Sequence, residues 1–342
     1  MSELVGQRLG RYELLEVTRR RSTSTVYRAT GPDGLVAVTV LAPVADPAAV
    51  AQLLEQARRV AELRHPHIRP VEDVGAQGGR IYLVEGWTGV STALTEIMGA
   101  PMSFRRACSL VAPLLLALDH AHQHGVVHAD VTPRNIVLPS PMWPMLTAFA
   151  IGRNLPDQSQ TSRRLILGTP AYLAPEQAFG LPVDSRTDVY SLAVVLYEAL
   201  VGRVPFLDED PQTTLRRQAY ETPPPLRRFR ADIPVTLERA VLRALAKDPD
   251  SRYETAREFA EALETALADQ GATAEAAHPQ PSLPPADPLA ADYAEGVQAF
   301  SDRRWDSAVA ALARVADVDP GYEDVEALLA AARSALAATG DS

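Results

Sequence analysis

Two kinds of hydrophobic pattern divide the chain. In its first third, short β-branched runs in which apolar and polar residues alternate are bounded by turn residues, which is typical of strands. From Ser103 onward, apolar residues recur at every third or fourth position, which is typical of helices. Strands followed by helices predict an α+β fold, with a β-rich small lobe and a helical large lobe.

The individual elements follow from these patterns and from the residues that interrupt them, such as the proline in RHPH, which ends the first helix. The predicted strands are RYELLEV, STVYRAT, GLVAVTVL, IRPVEDV and RIYLVE. The predicted helices are about 50–63, Phe104–Gln123, Arg186–Val201, Leu237–Leu245 and Glu254–Leu267.

A change of composition marks a domain boundary. Residues 271–288 are rich in alanine and proline without periodicity, which predicts a semi-extended linker between a domain of residues 1–270 and a tail of residues 289–342. Residues 271–342 carry 12 acidic residues against 4 arginines, a net charge of −8, whereas residues 1–270 have a net charge of −2. We therefore expect no nucleic acid as a partner.

Cysteine usage and hydropathy indicate in which cellular compartment the protein is expected. The single Cys108 excludes an internal disulfide and is typical of a reducing cytoplasm. The first residues, MSELVGQRLGRYELLE, do not resemble a signal peptide, and the longest apolar runs are shorter than a membrane span. We expect a cytoplasmic protein without a membrane span. Lys247 is the only lysine, because the chain otherwise uses arginine as its basic residue. An arginine at a position where a related protein has lysine would reflect this preference, whereas a neutral residue there would change the chemistry.

Seven motifs stand in a fixed order: VAVTVL, LRHPHI, HGVVHADVTPRNIVL, LTAFAIGR, GTPAYLAPEQ, RTDVYSLAVVLYEALVGRVPF and KDPDSRYETA. With this order and spacing, residues from about Arg11 to Leu267 resemble the eukaryotic-like (Hanks-type) serine/threonine protein kinases, most closely their bacterial branch. The resemblance implies the bilobal protein-kinase fold, with lobes of about 1–86 and 87–270. It also implies phosphoryl transfer from ATP with magnesium.

The resemblance places the phosphate loop in RRRSTSTVY, where Arg19, Arg21 and Ser24 stand at glycine positions. Bulky side chains block the close backbone approach that glycines allow. Either the loop is a decayed turn with solvated arginines, or its arginines supply anion-binding charge. The strand lysine that would hold the phosphates is Thr39, and its glutamate partner is Gln56.

In the catalytic loop, HADVTPRN, two residues keep the family's type. Asp130 is at the position of the catalytic base and Asn135 at that of a metal ligand, although both also suit a structural role. Four other positions differ from the family: the loop arginine, the loop lysine, the metal-binding aspartate, and the glycine two residues beyond it. These are Ala129, Thr132, Ala148 and Ala150.

The residues that the resemblance implies for packing are retained. Three would form an apolar column between the lobes, and three would anchor the activation segment and the catalytic loop. The column is Val60, His128 and Phe149; the anchors are the expected ion pair of Glu176 with Arg252, and Asp188. The nucleotide cleft and hinge are Val26, Ala37, Val84, Glu85, Trp87 and Val137, which would either hold adenine or simply fill the cleft.

The tail resembles one tetratricopeptide helix pair. The repeat's residue types occur at Gly296, Trp305, Ala308, Leu312 and Pro320. A single repeat is too short for an independent solenoid. It would dock on the kinase-like domain, pair with a second copy in a homodimer, bind a partner peptide, or form a packed hairpin without a ligand.

Three functions remain open. The replaced residues favour a catalytically inactive pseudokinase that acts as a scaffold or regulator for other proteins, such as an active kinase. The alternatives are a weak serine/threonine kinase that uses Asp130, and a metal-independent nucleotide sensor. The first hypothesis predicts no cofactor and no magnesium, and leaves ATP binding open. An active partner kinase would find acceptors at Thr161, Ser162 and Thr169.

Overall fold

The computed structural model describes residues 4–21, 24–87, 92–151, 170–276, 288–301, 304–319 and 325–340. The chain divides into two compact units. One comprises Met1–Pro139 and Pro144–Gln270, and the other comprises Ser140–Trp143 and Gly271–Ser342. The expected acceptors Thr161, Ser162 and Thr169 lie outside the described residues.

The small lobe is an antiparallel six-stranded sheet with one helix, and its strands pair in the order β1-β2-β3-β4-β6-β5. Its elements are β1 (Arg8–Leu9), β2 (Tyr12–Arg20), β3 (Ser24–Gly31), β4 (Gly34–Leu41), α1 (Pro47–Glu62), β5 (Val71–Gln77) and β6 (Arg80–Gly86). The alternating pattern places every second residue of these strands, such as Leu14, Tyr27 and Val38, in one apolar core. The strands predicted from sequence are confirmed.

Helix α1 begins three residues before the predicted start because Asp46 caps it. The Asp46 side chain accepts a hydrogen bond from the Ala48 N–H at 3.0 Å, and Pro47 occupies the first turn, where its missing N–H costs nothing. Leu53, Ala57 and Val60 form the buried face, at the spacing expected for an amphipathic helix.

The large lobe is mostly helical and is built around α3 and α5. Its helices are α2 (Leu94–Ile97), α3 (Phe104–Gln123), α4 (Pro175–Phe179), α5 (Ser185–Val201), α6 (Pro211–Tyr220), α7 (Val235–Ala244) and α8 (Ala256–Ala276). A small sheet joins β7 (Thr92–Ala93), β8 (Ile136–Ser140) and β9 (Trp143–Leu146). Helix α5 is buried along almost its whole length, begins at the cap Asp184 and ends at Gly202, whose φ is 74°. Cys108 lies inside α3 at 1% exposure, and burial raises the pKa of its thiol to about 12.

The structure corrects two predictions in this part of the chain. Helix α8 does not stop near Leu267 but runs to Ala276, so Gly271–Ala276 of the predicted linker is helical. Alanine and glutamate have high helix propensity and continue the helix despite the glycine. The predicted linker also extends one residue too far, because its last residue, Pro288, is the first residue of the next helix. Residues 277–287 lie outside the described residues.

The described residues of the tail form three helices, α9 (Pro288–Ser301), α10 (Trp305–Val318) and α11 (Val325–Gly340). Helices α9 and α10 approach closely at Gly296, where an added Cβ would lie 2.6 Å from Leu312 Cγ. The rings of Phe300 and Trp305 meet edge to face at 5.3 Å. Pro320 lies outside the described residues, and no helix within the described ranges is long and apolar enough to cross a membrane.

Candidate catalytic cleft

The backbone of the catalytic loop is fixed by a buried carboxylate of α5. Asp188 accepts hydrogen bonds from the backbone N–H groups of His128 and Ala129, both at 2.8 Å, so the expected contact of Asp188 with the loop is present. Ala129 has a φ of 57°, in the left-handed region that residues with a Cβ disfavour. Its carbonyl accepts a hydrogen bond from Gln177 Nε2 at 2.8 Å. The loop is therefore held in this conformation from two sides.

Asn135 forms hydrogen bonds with Asp130 within the catalytic loop. Its Nδ2 donates to both the backbone carbonyl and the Oδ2 of Asp130, each at 2.8 Å. Asn135 is buried, and its Oδ1 accepts a hydrogen bond from Arg21 Nη2 at 2.9 Å. These contacts suit the structural role, one of the two roles that the sequence left open for Asn135 and Asp130. The replaced loop lysine, Thr132, is buried beside them, at 5% exposure.

Two arginines of the phosphate-loop position reach from the small lobe to the large lobe. Arg19 donates from Nη1 to the carbonyl of Arg134 at 2.9 Å, and Arg21 contacts Asn135. Burial lowers the pKa of Arg21, and the neighbouring Arg19 adds to this effect, while the carboxylates of Asp130 and Glu85 oppose it. The interpretation as a solvated turn is therefore wrong for Arg21, whose guanidinium lies inside the cleft.

The segment Ala148–Ala150 keeps an ordered geometry without a carboxylate. Ala148 has a φ of 64°, the ring of Phe149 packs on His128 with 4.4 Å between centroids, and Ala150 N–H donates to the His128 carbonyl at 2.9 Å. Burial lowers the pKa of His128, which keeps its ring neutral. A neutral ring suits its contacts, because Nε2–H donates to the Thr147 carbonyl at 3.1 Å and Nδ1 accepts from Asp130 N–H at 3.3 Å.

A cavity of about 150 Å³ lies between α1 and this segment. Val60 and Phe149, two members of the expected column, both line it, and so does Gln56. Thr39 is on a different element, on β4 opposite Val26 and Leu83. Gln56 and Thr39, which stand at the two positions of the expected ion pair, thus lie in different surroundings.

The hinge contains a side-chain network that the sequence did not indicate. The carboxylate of Glu85, whose side chain is 13% exposed, accepts hydrogen bonds from Thr147 Oγ1 at 2.9 and 3.2 Å, and its Oε2 lies 3.7 Å from Arg69 Nε. Burial raises the pKa of Glu85, although Arg69 and Thr147 favour its charged form. The hinge is therefore tied to the residue that precedes Ala148.

The residues expected at the nucleotide cleft differ in their burial. Ala37, Val84 and Val137 are buried, whereas Val26 and Trp87 are partly exposed. Ala37 stands opposite Glu85 across the β4–β6 pair. These positions suit both of the uses that the sequence left open, adenine binding and filling of the cleft.

The ion pair expected in the large lobe is present. Arg252 donates to the two carboxylate oxygens of Glu176 at 2.9 and 2.8 Å, and Thr187 Oγ1 donates to the same carboxylate at 2.7 Å. The Arg252 guanidinium lies 4.8 Å from the centre of the Tyr190 ring. This bidentate pair fixes α4 to the end of the large lobe.

Comparison with known proteins places this geometry in a family. The family model described as protein kinase domain matches residues 22–265. The chain is 37% identical over 260 residues to the serine/threonine-protein kinase PknB of Mycolicibacterium smegmatis, which covers 73% of this chain and 42% of that protein. It is 36% identical over 255 residues to the DNA damage-responsive serine/threonine-protein kinase RqkA of Deinococcus radiodurans, which covers 71% and 37%.

A third relative is the probable serine/threonine-protein kinase PknB of Lactococcus lactis, which is 31% identical over 255 residues, covering 73% of this chain and 41% of that protein. The chain thus matches about two fifths of the length of these curated relatives. The predicted bilobal kinase fold is confirmed, and the chain belongs to the Hanks-type family of serine/threonine protein kinases.

Proposed function

We propose that this chain is a pseudokinase, a kinase-fold protein that does not transfer phosphoryl groups and acts as a scaffold or regulator for other proteins. One observation carries the proposal. The segment Ala148–Ala150 retains a left-handed residue and the packing of Phe149 on His128, but a methyl group stands where the family has a metal-binding carboxylate. The shape of the site is kept while its charge is lost.

The remaining donor set does not fit a magnesium ion. Magnesium prefers octahedral coordination by oxygen ligands, including carboxylates and the substrate's phosphates. The side chain of Ala148 offers no ligand, and the Oδ1 of Asn135 already accepts a hydrogen bond from the cationic Arg21 at 2.9 Å. A second cation at this place would be repelled by the first. We therefore expect no metal-dependent binding of ATP.

The phosphate-handling groups support the same conclusion. Thr39 and Gln56 carry no charge, and Gln56 lines a cavity beside the segment Ala148–Ala150. Loss of one electrostatic contact to a transition state typically costs about 3 kcal/mol, or roughly a hundredfold in rate. Several such losses together leave no useful rate of transfer.

A transfer assay with γ-labelled ATP tests the proposal. The purified chain is incubated with magnesium or manganese and a generic protein acceptor, and Asp130→Ala serves as the matched control. We expect incorporation of label to be the same for both proteins, at background. Incorporation that depends on Asp130 would instead establish the weak serine/threonine kinase.

The nucleotide sensor is a second candidate, which the buried apolar residues Ala37, Val84 and Val137 favour. Thermal unfolding with ATP in EDTA and with ATP and magnesium separates it from the scaffold. A rise of the melting temperature in EDTA supports the sensor, and no change in either buffer supports the scaffold.

The proposal also includes the kind of protein that this chain would bind. An active kinase that phosphorylates the activation segment at Thr161, Ser162 or Thr169 would be one partner, and mass spectrometry after co-expression with such a kinase tests this. The tetratricopeptide-like tail, which would pair with a second copy or bind a peptide, is tested by analytical ultracentrifugation of the full chain over a range of concentrations.

A further inference from the structure

Arg21 spans the cleft between the lobes. Its backbone N–H donates to the carbonyl of Ser24, the first residue of β3, at 2.8 Å, which fixes the point from which the side chain leaves. Its Nη2 donates to Asn135 Oδ1 at 2.9 Å, a contact between residues 114 positions apart in the chain. One side chain thus joins the tip of the small lobe to the catalytic loop.

The surroundings of this guanidinium resemble those of a bound metal cation. An amide oxygen of Asn135 contacts it, and the carboxylates of Asp130 and Glu85 attract it. An arginine remains protonated at any physiological pH, so the positive charge is permanent. Carboxylate and amide oxygens around one cation are the arrangement that the family otherwise uses for a divalent ion.

Arg19 adds a second contact across the same cleft. It lies in β2, two residues before Arg21, which directly follows the last residue of that strand. Arg19 donates to the carbonyl of Arg134, the residue next to Asn135, at 2.9 Å. Two arginines therefore reach two consecutive residues of the large lobe.

We propose that Arg21 is a built-in cation that takes the place of the divalent metal ion and, with Arg19, clasps the two lobes together without a bound nucleotide. The clasp rests on the proposed function only in that both require a cleft free of metal. If the clasp is present, the cleft needs no ligand to close it, because the guanidinium of Arg21 already holds the two lobes together. The small lobe and the catalytic loop then present one rigid surface to a partner.

Hydrogen exchange on the full chain tests the clasp. The informative amides are those of Asn135 and Thr147, which donate to the carbonyls of Thr132 and Asn135 at 2.9 and 3.0 Å. Arg21→Ala is expected to raise their exchange rates about tenfold, the effect of one charge-assisted hydrogen bond. Arg20→Ala removes the adjacent arginine, which is exposed, and is expected to leave them unchanged.

Two results would overturn the clasp in this experiment. One is the same exchange in Arg21→Ala as in Arg20→Ala. The other is protection of these amides by ATP in EDTA that disappears in Arg21→Ala, because Arg21 would then be a ligand of the nucleotide's phosphates. Arg21→Lys, which keeps the charge and a side-chain N–H donor on a stem one atom shorter, gives an intermediate rate if the clasp is correct.

Restoring the missing carboxylate tests the role of internal cation separately. Manganese binding is measured by electron paramagnetic resonance on Ala148→Asp and on Ala148→Asp combined with Arg21→Ala. The double variant is expected to bind manganese at least tenfold more tightly, because the guanidinium no longer competes for Asn135. Equal affinity in both variants would overturn this role. Neither measurement depends on transfer of label, so failure of the clasp and failure of the proposed function are distinguishable.

Discussion

The buried pair of Glu176 and Arg252 provides a quantitative test of how the large lobe is held together. The side chain of Arg252 has no exposed surface and that of Glu176 is 7% exposed, so both charges are shielded from water. Removing one partner of a buried pair leaves an uncompensated charge and typically costs about 3–5 kcal/mol. In a domain of this size, about 1 kcal/mol lowers the melting temperature by roughly 2–4 °C, so Glu176→Gln is expected to lower it by about 10 °C.

Arg252 also supports the chain through bonds that do not involve Glu176. It donates to the carbonyls of Ala246, Arg186 and Lys247 at 2.8, 3.0 and 3.1 Å. Arg252→Met therefore leaves these carbonyls without this donor as well as the carboxylate without its partner. We expect it to be more destabilising than Glu176→Gln.

A double-mutant cycle measured by scanning calorimetry tests whether Glu176 and Arg252 are energetically coupled. Glu176→Gln combined with Arg252→Met removes both charges together and is expected to recover about 3 kcal/mol relative to the sum of the single changes. If the single losses add within about 0.5 kcal/mol, the two side chains are not coupled and the account of the buried pair is refuted.

Three further predictions concern other parts of the chain. The rings of His65, His120 and His124 stand in a row with centroids 5.4 and 4.4 Å apart, and burial, followed by His67 and His120, lowers the pKa of His65 from 6.5 to about 4. The unfolded chain therefore takes up the proton first, and the melting temperature should fall as the pH drops from about 6.5 towards 4, less steeply in His65→Asn. Ala148→Gly should raise the melting temperature slightly, since it relieves about 1 kcal/mol of strain at φ 64°, and no rise would mean that the backbone is unstrained. Gly296→Ala should destabilise the tail by about 1–3 kcal/mol in circular dichroism melts, because its Cβ would lie 2.6 Å from Leu312 Cγ, whereas Gly99→Ala, with nothing within 4 Å, should have no such effect.

The sequence predicted the elements whose burial follows a simple period. The strands of the small lobe alternate, and α3 begins and ends as predicted because Ser103 caps it and its apolar stripe is continuous. Helix α6 was missed because its buried residues include Thr214 and Gln218, which satisfy their polar groups by hydrogen bonds rather than by an apolar pattern. A helix buried through polar side chains leaves no hydrophobic period to find.

The site was predictable where residue type alone decides the chemistry. Ala148 cannot bind a metal wherever it lies, and Asp188 bonds the loop as the resemblance implied. The contacts of Arg21 with Asn135 and of Glu85 with Thr147 join residues 114 and 62 positions apart. Such contacts depend on how the lobes meet, which no local pattern in the sequence reports.

Cys108 makes the folded chain convenient for thiol chemistry. Its burial inside α3 and the raised pKa, about 12, keep it protonated and shielded from reagents in the folded state. Alkylation of the native protein thus measures the opening of the helical core directly, without an added label. A cysteine introduced on an exposed surface would be modified alone, so a fluorophore or spin label can be placed on either lobe without first removing the natural thiol.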